Sequence, residues 1–375
     1  MMTLKAFKYR LYPTALQEVL LNKTFGCVRV VWNHNVEVFN KFDKRLTEQE
    51  QPLCTTQIKK KFEWMNEVSA AALQQKEMDF KVFKKNYFSK TRKKKIGRPS
   101  FKNRDSHQSY RLPNQKFTLN DSTIRLEKIG TVKLVVDRTV PVGCKFISVT
   151  VSKNKCGQFF ASVLVECEII QKPKTGKTIG LDIGIKTFLT GNNGFIVENP
   201  TYFRESQAEL KQAQQHLSRK KKGSVRRKKA KLKVARIHNN IANQRNTFIH
   251  QITTKLINEY DFIAIEDLNV AGMVKNRKLA KSISDASFAE FYAVLSYKAA
   301  WYGKEVIKVD RWFASSKTCS HCGWKDKDLM LSDRTFKCKA CGMEKDRDLN
   351  ASENILEEAL RVNSAIRTPS KYQSV

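Results

Sequence analysis

Two cysteine pairs in the last part of the chain place the strongest constraint on how it can fold. Cys319 and Cys322 form the first pair, Cys338 and Cys341 form the second, and fifteen residues separate the pairs. Two cysteines spaced in this way form a knuckle that presents both thiolates to one metal ion, and two knuckles complete a tetrahedral site. The spacing therefore predicts a zinc ribbon holding one structural zinc ion. A redox-active pair of dithiols is the alternative.

The residues around the cysteines agree with a zinc ribbon. Gly323 and Gly342 directly follow the second cysteine of each pair, where a backbone that turns under thiolates often needs a residue without a Cβ. His321 lies inside the first knuckle and is expected to be a spectator, because four thiolates already complete the site. The other five cysteines show no regular spacing, which argues against the disulfide framework of a secreted protein.

The charge of the chain points to a polyanionic partner. It has 70 Lys and Arg residues against 36 Asp and Glu, a formal net charge of +34, far more than solubility requires. Nucleic acid is favoured because each neutralised phosphate releases counterions; an anionic membrane surface is the alternative. No apolar run approaches the ~20 residues of a spanning helix, and the first residues lack the apolar core of a signal peptide. We therefore expect a soluble intracellular protein.

Hydrophobic periodicity in the N-terminal half predicts a barrel with an insertion. Residues 3–11 alternate like a half-buried strand, and residues 14–41 and 55–87 carry apolar residues at helical spacing. Past the basic segment 93–102, the pattern turns to short strands. We predict a small β-barrel that is interrupted by a helical insertion after its first strand. The later strands are predicted at Thr123–Leu126, Thr131–Val136, Phe146–Val151 and Phe159–Glu166.

The C-terminal half follows a linker at 171–176 and predicts an α/β domain. Three strands with tight turns precede a long helical region, a buried strand, a helix, a strand, the cysteine cluster and a last helix. This order is compatible with an RNase H-like sheet. The predicted elements are strands 178–182, 187–190, 195–197, 262–266 and 306–309, and helical regions 206–257, 287–302 and 350–361.

Three acidic residues stand out by their positions. Asp182 and Glu266 each end a predicted strand, and Asp348 lies between the cysteine pairs and the last helix. Carboxylates at strand ends and at a helix start can converge on one edge of a sheet. There they can hold two divalent ions ~3.5–4 Å apart, one activating water and the other stabilising the leaving oxygen of a phosphodiester. Oxygen ligands favour magnesium or manganese.

Each of these acids also has a simpler interpretation. Acids at strand ends are commonly solvated, and an Asp before a helix is commonly its cap. A capping box of Asn350 with Glu353 would free the third acid for another role. Asp267 and Asp346, which neighbour the second and third acids, are rivals that periodicity does not eliminate. The residues alone leave the choice open.

At these residues the sequence resembles the TnpB (OrfB) family of insertion-sequence proteins, relatives of the compact type V CRISPR effector nucleases. The resemblance covers nearly the whole chain and is specific because the motifs occur together in one order. The motifs are K-Y-R-L-Y-P at 8–13, V-W-N at 31–33, G-x-P-x-F-K at 97–102, G-L-D-I-G at 180–184, the basic run 226–236 with H-x2-I-A-N at 238–243, I-E-D-L at 265–268, the cysteine pairs, and D-R-D-x-N-A-x2-N-I at 346–355.

The resemblance implies a RuvC-like nuclease whose catalytic residues map onto Asp182, Glu266 and Asp348, the last selected by the family's D-x-N-A pattern. These acids would bind magnesium or manganese, most simply as two ions. Family members are implied to bind a guide RNA transcribed from the element's end, an omega RNA. They are implied to recognise a short target-adjacent motif and to cleave double-stranded DNA that pairs with the guide. Ser352, where the family commonly has alanine, is a small departure.

Periodicity and resemblance together imply an α/β multidomain protein. A small β-barrel (wedge) domain carrying a helical insertion precedes an RNase H-like (RuvC) nuclease domain with an inserted zinc ribbon. The expected boundaries are 1–13 and 91–172 for the wedge domain, 14–90 for the helical recognition insert, 173–311 and 344–362 for the nuclease domain, 312–343 for the ribbon and 363–375 for a disordered tail. We expect a monomer on its RNA, in the cytoplasm and on the nucleoid of a prokaryotic host, without membrane association.

Two basic segments are candidates for nucleic-acid contact. The run at 219–236 is expected to face the guide–target duplex, although a charge run on a helix is often only a solvated face. The segment around 93–104 is a candidate for guide RNA or for DNA beside the target-adjacent motif. Tyr87, Phe88 and Phe101 can stack on bases or belong to the core. The predicted contacts are Lys94, Lys95, Arg98, Lys102, Arg104, Arg219, Lys220, Arg226, Arg227, Lys228 and Lys229.

Two other functions are compatible with parts of this pattern. A zinc-ribbon regulator that binds DNA without cutting it would keep its activity when each of the three acids is replaced by alanine. A transposase that joins DNA ends through its carboxylates would share the fold type and give strand-transfer products. The resemblance favours cutting without joining.

Overall fold

The computed structural model of the protein describes residues 2–41, 54–91, 95–277, 279–330 and 332–367. The chain forms two compact units, Met1–Glu168 and Ile169–Val375. Within the described ranges, no helix combines the length and the apolar character needed to cross a membrane.

The first unit is built on a seven-stranded antiparallel sheet. Its strands are β1 (Met2–Tyr12), β2 (Gln108–Pro113), β3 (Phe117–Leu119), β4 (Thr123–Leu126), β5 (Gly130–Val135), β6 (Lys145–Lys153) and β7 (Phe159–Glu168). Their order is β2-β6-β7-β1-β5-β4-β3. A 3-10 turn at Asn114–Lys116 joins the two outer strands directly, so the sheet is nearly closed like a barrel. The predicted barrel-like sheet is confirmed.

The first strand lies in the middle of this sheet, as an uninterrupted barrel strand should. Phe7, Tyr9 and Leu11 alternate into the core, and the strand pairs with β7 and β5 on its two sides. The sequence prediction omits β2 and β3. In β2 only Tyr110 and Leu112 are buried, and β3 is three residues long, so neither strand produces a readable alternation.

Three α-helices follow the first strand. They are α1 (Ala15–Lys41), α2 (Thr55–Lys61) and α3 (Ala70–Phe88), with a 3-10 turn at Glu63–Glu67. The helical stretch predicted at 55–87 is therefore present, divided into two α-helices and a 3-10 turn. Phe62 leaves the helical backbone region, and Ser69 starts a new helix by accepting a hydrogen bond from the Ala72 amide at 3.3 Å.

An aromatic cluster joins α1 to α3. Trp32 and Phe39 of α1 contact Phe80, Phe83 and Tyr87 of α3, with ring centroids 5.2–6.1 Å apart. Tyr87 is partly buried in this helical pair, which is one of the two roles that the sequence left open for it. Such edge-to-face contacts stabilise the pair beyond the area that they bury.

The second unit contains a five-stranded mixed sheet. Its strands are β8 (Thr178–Ile183), β9 (Thr187–Gly191), β10 (Ile196–Glu198), β11 (Phe262–Glu266) and β12 (Glu305–Val309), in the order β10-β9-β8-β11-β12. The first three strands are antiparallel, whereas β8, β11 and β12 run parallel. The predicted strand order along the chain is confirmed, because short apolar runs between turns, such as those of β8, β9 and β11, carry a readable signal. Two short antiparallel strands, β13 (Thr335–Lys337) and β14 (Glu344–Asp346), belong to the cysteine-rich segment.

Helices flank both faces of this sheet. They are α4 (Tyr202–Ser218), α5 (Val225–Glu259), α6 (Val270–Met273), α7 (Ala280–Ala286), α8 (Phe288–Tyr302) and α9 (Arg347–Arg367). The predicted helical region 206–257 is divided because Gly223 has φ +85° and Ser224 caps the next helix. The last helix runs to Arg367, past the boundary at 363 that we predicted for a disordered tail. Residues 368–375 lie outside the described range.

The two faces of the five-stranded sheet pack against different helices. Ile179 and Leu181 face a large core with α5 and α8, whereas Phe262 and Ala264 face α9. Because side chains alternate along a strand, every second residue of β8 and β11 points towards α9. This alternation decides which residues can meet at the start of that helix.

Candidate functional site

The four cysteines converge on one point. Their Sγ atoms all lie within 4.8 Å of one another, with Cys319 and Cys341 3.8 Å apart and Cys322 and Cys338 3.5 Å apart. A tetrahedral ion with metal–sulfur distances of ~2.3 Å requires sulfur–sulfur edges of about 3.8 Å. The geometry fits one zinc ion. Among the residues that the structure describes, these four form the group placed closely enough to share an ion.

The two knuckles have the same backbone pattern. The Gly323 amide donates to the carbonyl oxygen of Cys319 at 2.9 Å, and the Gly342 amide donates to that of Cys338 at 3.0 Å. Both glycines have positive φ, of +76° and +73°, which confirms the predicted turns without a Cβ. His321 is exposed and lies outside the four-sulfur group.

Strand register brings the first two acids together. β8 and β11 are parallel neighbours in which Leu181 pairs with Ile265, so the next residues, Asp182 and Glu266, lie at the same level. Both are at the carboxyl end of their strand, and both share the sheet face that packs against α9. Two side chains predicted from separate apolar runs therefore lie side by side.

Close packing of α9 on β8 brings the third acid to them. A Cβ on Gly180 would lie 2.2 Å from the carbonyl oxygen of Ser352, so this glycine permits direct contact between strand and helix. Asp182 is two residues further along the strand, about 6.6 Å. Asp348 is one turn before Ser352 on the helix, about 6 Å from it, and its charge acts on Asp182. The third acid consequently lies above the first.

Electrostatics reflect this convergence. Burial and, after it, the negative charges of Asp348 and Glu266 raise the pKa of Asp182 to about 7. Burial likewise raises the pKa of Glu266, with Asp267 adding to the effect. A group of acids that disfavour each other's ionisation gains free energy from a bound cation, which is the behaviour expected of a divalent-ion site.

The rival Asp267 is engaged in ion pairs. Its carboxylate pairs with Arg311 and lies 3.8 Å from Lys308 Nζ. Glu266 has no ion pair among the described residues. Its backbone is fixed because the Tyr292 hydroxyl donates to the Glu266 carbonyl oxygen at 2.6 Å. The charge of Asp267 is thus already offset by neighbouring cations, whereas that of Glu266 is not.

The rival Asp346 is a helix cap. Its Oδ1 accepts hydrogen bonds from the amides of Asp348 and Leu349, at 2.9 and 3.0 Å, and the helix begins at Arg347. The predicted capping box of Asn350 with Glu353 is wrong because the helix starts one turn earlier. The side chain of Asp348 therefore does not cap the helix, and it pairs with Arg347 instead.

Sequence reasoning missed the contribution of Arg347. Its Nη2 lies 3.3 Å from Asp348 Oδ1, and its positive charge partly offsets the raised pKa of Asp182. A cation beside the acids reduces the electrostatic repulsion among their carboxylates in the folded chain. Its place between two acids in the motif D-R-D is the only signal of this role in the sequence.

The first basic segment is anchored to α1 of the first unit. The Asn33 side chain accepts from the Lys102 amide at 2.8 Å and donates to the Lys102 carbonyl at 2.9 Å, while Lys102 Nζ lies 3.9 Å from the Trp32 ring centroid. Burial lowers the pKa of Lys102. Its charge is thus engaged inside the protein. Of the other predicted contacts here, Lys95, Arg98 and Arg104 are exposed, as is Phe101, and Lys94 lies outside the described residues.

The second basic segment spans the turn between α4 and α5. Arg219, Arg226, Lys228 and Lys229 are exposed there, and Lys220 is half-buried. Arg227 has a structural task, since its Nη1 donates to the carbonyl oxygens at 217 and 220, both at 2.9 Å. The four exposed cations are therefore accessible to a partner. Arg227 holds the turn that carries them.

Family models match three parts of the chain. The model of the IS605 OrfB family, described as "Probable transposase", matches residues 160–277, and a "Cas12f1-like, TNB domain" matches residues 288–355. A third model, "Helix-turn-helix domain", matches residues 1–38. In the structure this last region contains one strand and the single helix α1, so the description does not fit its architecture.

Known relatives extend over almost the whole chain. A "Putative RNA-guided DNA endonuclease" of Streptomyces pristinaespiralis is 38% identical and covers 96% of this chain and 90% of its own length. InsQ of Escherichia coli K12, which carries the same description, is 30% identical over 95% of this chain and 92% of its own length. In a cryo-EM structure of a Cas12f1–sgRNA–target DNA complex, Cas12f1 shares the fold, with a TM-score of 0.54, 15% identity and coverage of 94% and 98%. The chain belongs to the TnpB (OrfB) family.

Proposed function

We propose that the protein is an RNA-guided, metal-dependent DNA endonuclease of a transposable element. It cleaves guide-matched DNA next to a short target-adjacent motif, using a RuvC-like (RNase H-like) site. The observation that carries the proposal is the convergence of Asp182, Glu266 and Asp348, in which the other two charges raise the pKa of the first. Relatives described as RNA-guided DNA endonucleases support the same reading.

The three acids are the proposed ligands of magnesium or manganese. Their hard carboxylate oxygens suit either ion, and two ions are the simplest arrangement for a phosphodiester. When bound, the ions supply an activated water and stabilise the leaving oxygen. The protein fixes the acids through the β8–β11 register and the packing of α9.

Neighbouring residues prepare the carboxylates for this task. Tyr292 holds the backbone at Glu266, and Asp346 holds the first turn that presents Asp348. Arg347 limits repulsion among the acids in the folded chain. These contacts fix the ligands before substrate arrives, so little reordering accompanies metal binding.

Guide RNA and double-stranded target DNA are the proposed partners, bound by one copy of the protein. A net charge of +34 and the exposed cations at the α4–α5 turn suit the backbone of a guide–target duplex. In such enzymes base pairing reads the sequence, and the protein reads shape and a short motif. In a prokaryotic host this activity belongs to the cytoplasm and the nucleoid.

We assign the parts of the chain in the same terms. Residues 1–13 and 91–172 form the wedge domain, 14–90 the recognition insert, 173–311 and 344–362 the nuclease domain, and 312–343 the zinc ribbon. The ribbon's zinc is proposed to be structural, since all four ligands come from cysteine.

Cleavage by the purified complex tests the proposal. The protein is co-expressed with the DNA that flanks its gene, and the RNA that co-purifies is sequenced. The complex is then given magnesium and plasmid DNA that carries the matching sequence beside a library of flanking motifs. We expect double-strand cuts only beside one short motif, and none with Asp182→Ala or with an unmatched plasmid.

Other outcomes identify the competing functions. Tight binding to the plasmid without cleavage, unchanged when Asp182, Glu266 and Asp348 are each replaced by alanine, would indicate a regulator. Products in which the DNA ends are joined to a second molecule would indicate a transposase. Neither competing function is favoured by the relatives, which are described as endonucleases.

A further inference from the structure

Two buried asparagines of α9 hold the first cysteine knuckle. Asn350 Nδ2 donates to the carbonyl oxygen of Thr318 at 2.7 Å, and its Oδ1 accepts from the Ser320 amide at 2.9 Å. These partners flank Cys319 on both sides. Asn354, one helical turn later, donates to the same carbonyl at 2.6 Å and to that of Ser315 at 2.8 Å.

Because these asparagines are buried, water cannot replace their hydrogen-bond partners. The exposed fraction of Asn350 is 0%, and that of Asn354 is 3%. An amide in such a position has no water to replace a lost partner, and the knuckle's own backbone groups would also lose theirs. Only a side chain that has both a donor and an acceptor at its tip can satisfy the carbonyl of Thr318 and the amide of Ser320 together.

The second knuckle is attached to the same end of the helix by the chain itself. Strand β14 follows Cys341 and runs directly into Asp346, the cap of α9. The Arg347 amide also donates to the carbonyl oxygen of Arg334 at 2.8 Å, across the β13–β14 hairpin. The first turns of α9 are therefore attached to both knuckles, and the four sulfurs of the two knuckles converge on one point.

We propose that Asn350, supported by Asn354, is a positioning residue that links the zinc knuckles to Asp348. Closure of the four cysteines on zinc fixes the backbone around Cys319, and Asn350 transmits that position to the helix turn two residues before it. Asp348 is thereby kept in place above Asp182. The link between zinc and the acids rests on the proposed function, because it assumes that the acids bind divalent ions.

The test compares full-length, zinc-loaded variants in three measurements. Asn350→Ala removes both contacts, and Asn350→Asp keeps only the acceptor. Asn363→Ala is the control, a half-buried asparagine on the same helix whose side chain donates to Glu305. The measurements are the rate of zinc release to a chromophoric chelator, hydrogen exchange in residues 347–352, and Mn²⁺ affinity by calorimetry. Only the last depends on the proposed function.

For Asn350→Ala we expect zinc release about tenfold faster, since groups that orient metal ligands typically contribute a factor of ~10–100 to affinity. Exchange at the first turn of α9 should rise, and Mn²⁺ should bind about five- to tenfold more weakly. In each measurement Asn350→Asp should give a value between those of Asn350→Ala and the wild type. Asn363→Ala should match the wild type. Zinc removal from the wild type should reproduce the loss of Mn²⁺ affinity, with no further loss in Asn350→Ala.

The inference is overturned if folded Asn350→Ala releases zinc and exchanges amide hydrogens at wild-type rates. If this variant does not fold, Asn354→Ala, which removes one of two donors on the Thr318 carbonyl, decides the question by the same measurements. A wild type that binds no Mn²⁺ refutes the proposed metal site alone, because the zinc and exchange measurements still report the link. Normal Mn²⁺ binding in a variant that loses zinc quickly refutes the link alone.

Discussion

Gly180 in β8 and Ser352 in α9 touch through their backbones. A Cβ on Gly180 would lie 2.2 Å from the Ser352 carbonyl oxygen and 2.7 Å from the Leu356 Cβ, so no other residue fits without moving the helix. Ser352 itself is fully buried, and its hydroxyl donates to the carbonyl oxygen of Leu349 at 2.7 Å. This contact sets the height of α9 above the strand that carries Asp182.

Gly180→Ala should therefore disable the site while leaving the RNA-binding surfaces in place. We expect the free energy of unfolding to fall by about 2–3 kcal/mol, as for an overpacked core. Cleavage should fall at least ~100-fold, because a shift of about 1 Å in a catalytic group has that effect. Thermal unfolding and single-turnover cleavage measure both. Gly26→Ala is the control, since a Cβ there meets only Arg29 Nη2 at 3.8 Å; equal cleavage by the two variants would contradict the packing argument.

The raised pKa of Asp182 predicts a pH-dependent stability. Burial and the charges of Asp348 and Glu266 raise this pKa from 3.8 to about 7. Between these values the folded chain holds a proton that the unfolded chain has lost, so the free energy of unfolding falls as pH rises from about 4 to about 7. Asp182→Asn should remove this fall and stabilise the protein at pH 8 without added divalent ions.

The expected gain for Asp182→Asn is about 2 kcal/mol. This is roughly half of what the shift implies at ~1.4 kcal/mol per pKa unit, because the side chain is partly exposed to screening solvent. Chemical denaturation at several pH values measures it. Asp267→Asn, which removes an ion-paired carboxylate, should give no such gain. A wild-type pH profile in Asp182→Asn would show that the pKa of Asp182 is not raised in the folded chain.

Glu266 and its neighbour Asp267 should differ sharply in a substitution test. Glu266→Gln removes a proposed metal ligand, which is worth several kcal/mol in the transition state. At ~1.4 kcal/mol per tenfold change, cleavage should fall by about a thousandfold. Asp267→Asn breaks the pair with Arg311 on a partly exposed surface and should lower cleavage less than about tenfold. A larger loss of cleavage in Asp267→Asn than in Glu266→Gln would indicate that Asp267 is the metal ligand.

The same comparison separates Asp346 from Asp348. Asp346→Asn keeps a capping oxygen and should cleave normally, whereas Asp346→Ala loses the cap and about 1 kcal/mol of stability. Asp348→Asn should retain stability and lose cleavage, by about a thousandfold as for the other ligand. Denaturation and cleavage rates are measured on all three variants. Full activity in Asp348→Asn would assign the third ligand elsewhere.

The exposed cations of the α4–α5 turn should govern the salt dependence of binding. Replacing Arg226, Lys228 and Lys229 by glutamine should reduce the slope of log affinity against log salt by up to about 2.7, at ~0.9 for each lost phosphate contact. Arg227→Ala should instead lower thermal stability, because its guanidinium holds the turn. Titration of labelled guide–target duplex at several salt concentrations gives the slopes. An unchanged slope in the triple variant would indicate that these cations are solvated and do not contact the nucleic acid.

The sequence predicts much of the second unit because strands such as β8 and β11 are apolar and buried. The runs that end at Asp182 and Glu266 identify both residues and their place at one edge of the sheet. Spacing also predicts the cysteine cluster, down to the positive φ of Gly323 and Gly342. In each case a local pattern contains the information.

Features that depend on distant partners are not predictable in this way. Asp267 differs from Glu266 in forming an ion pair with Arg311, which lies in another part of the chain. The residues next to Asp267 in the sequence give no sign of that pair. The start of α9 is predicted too late, since the cap is Asp346 and the buried Asn350 serves the knuckle instead. From the sequence alone, Gly180 only predicts a weaker strand. Its role becomes clear in the structure, where α9 packs directly against it.

The position of Asp348 in the last helix has a consequence for synthesis on the ribosome. A nascent chain that has exposed the five-stranded sheet already contains Asp182 and Glu266, but its third acid emerges only after both cysteine pairs have been made. Domains generally fold as they leave the ribosome, so the sheet can form before the nuclease is complete. If the proposed function holds, a prematurely terminated product would keep its basic surfaces but lack the third acid, and incomplete copies would leave the cell's own DNA uncut.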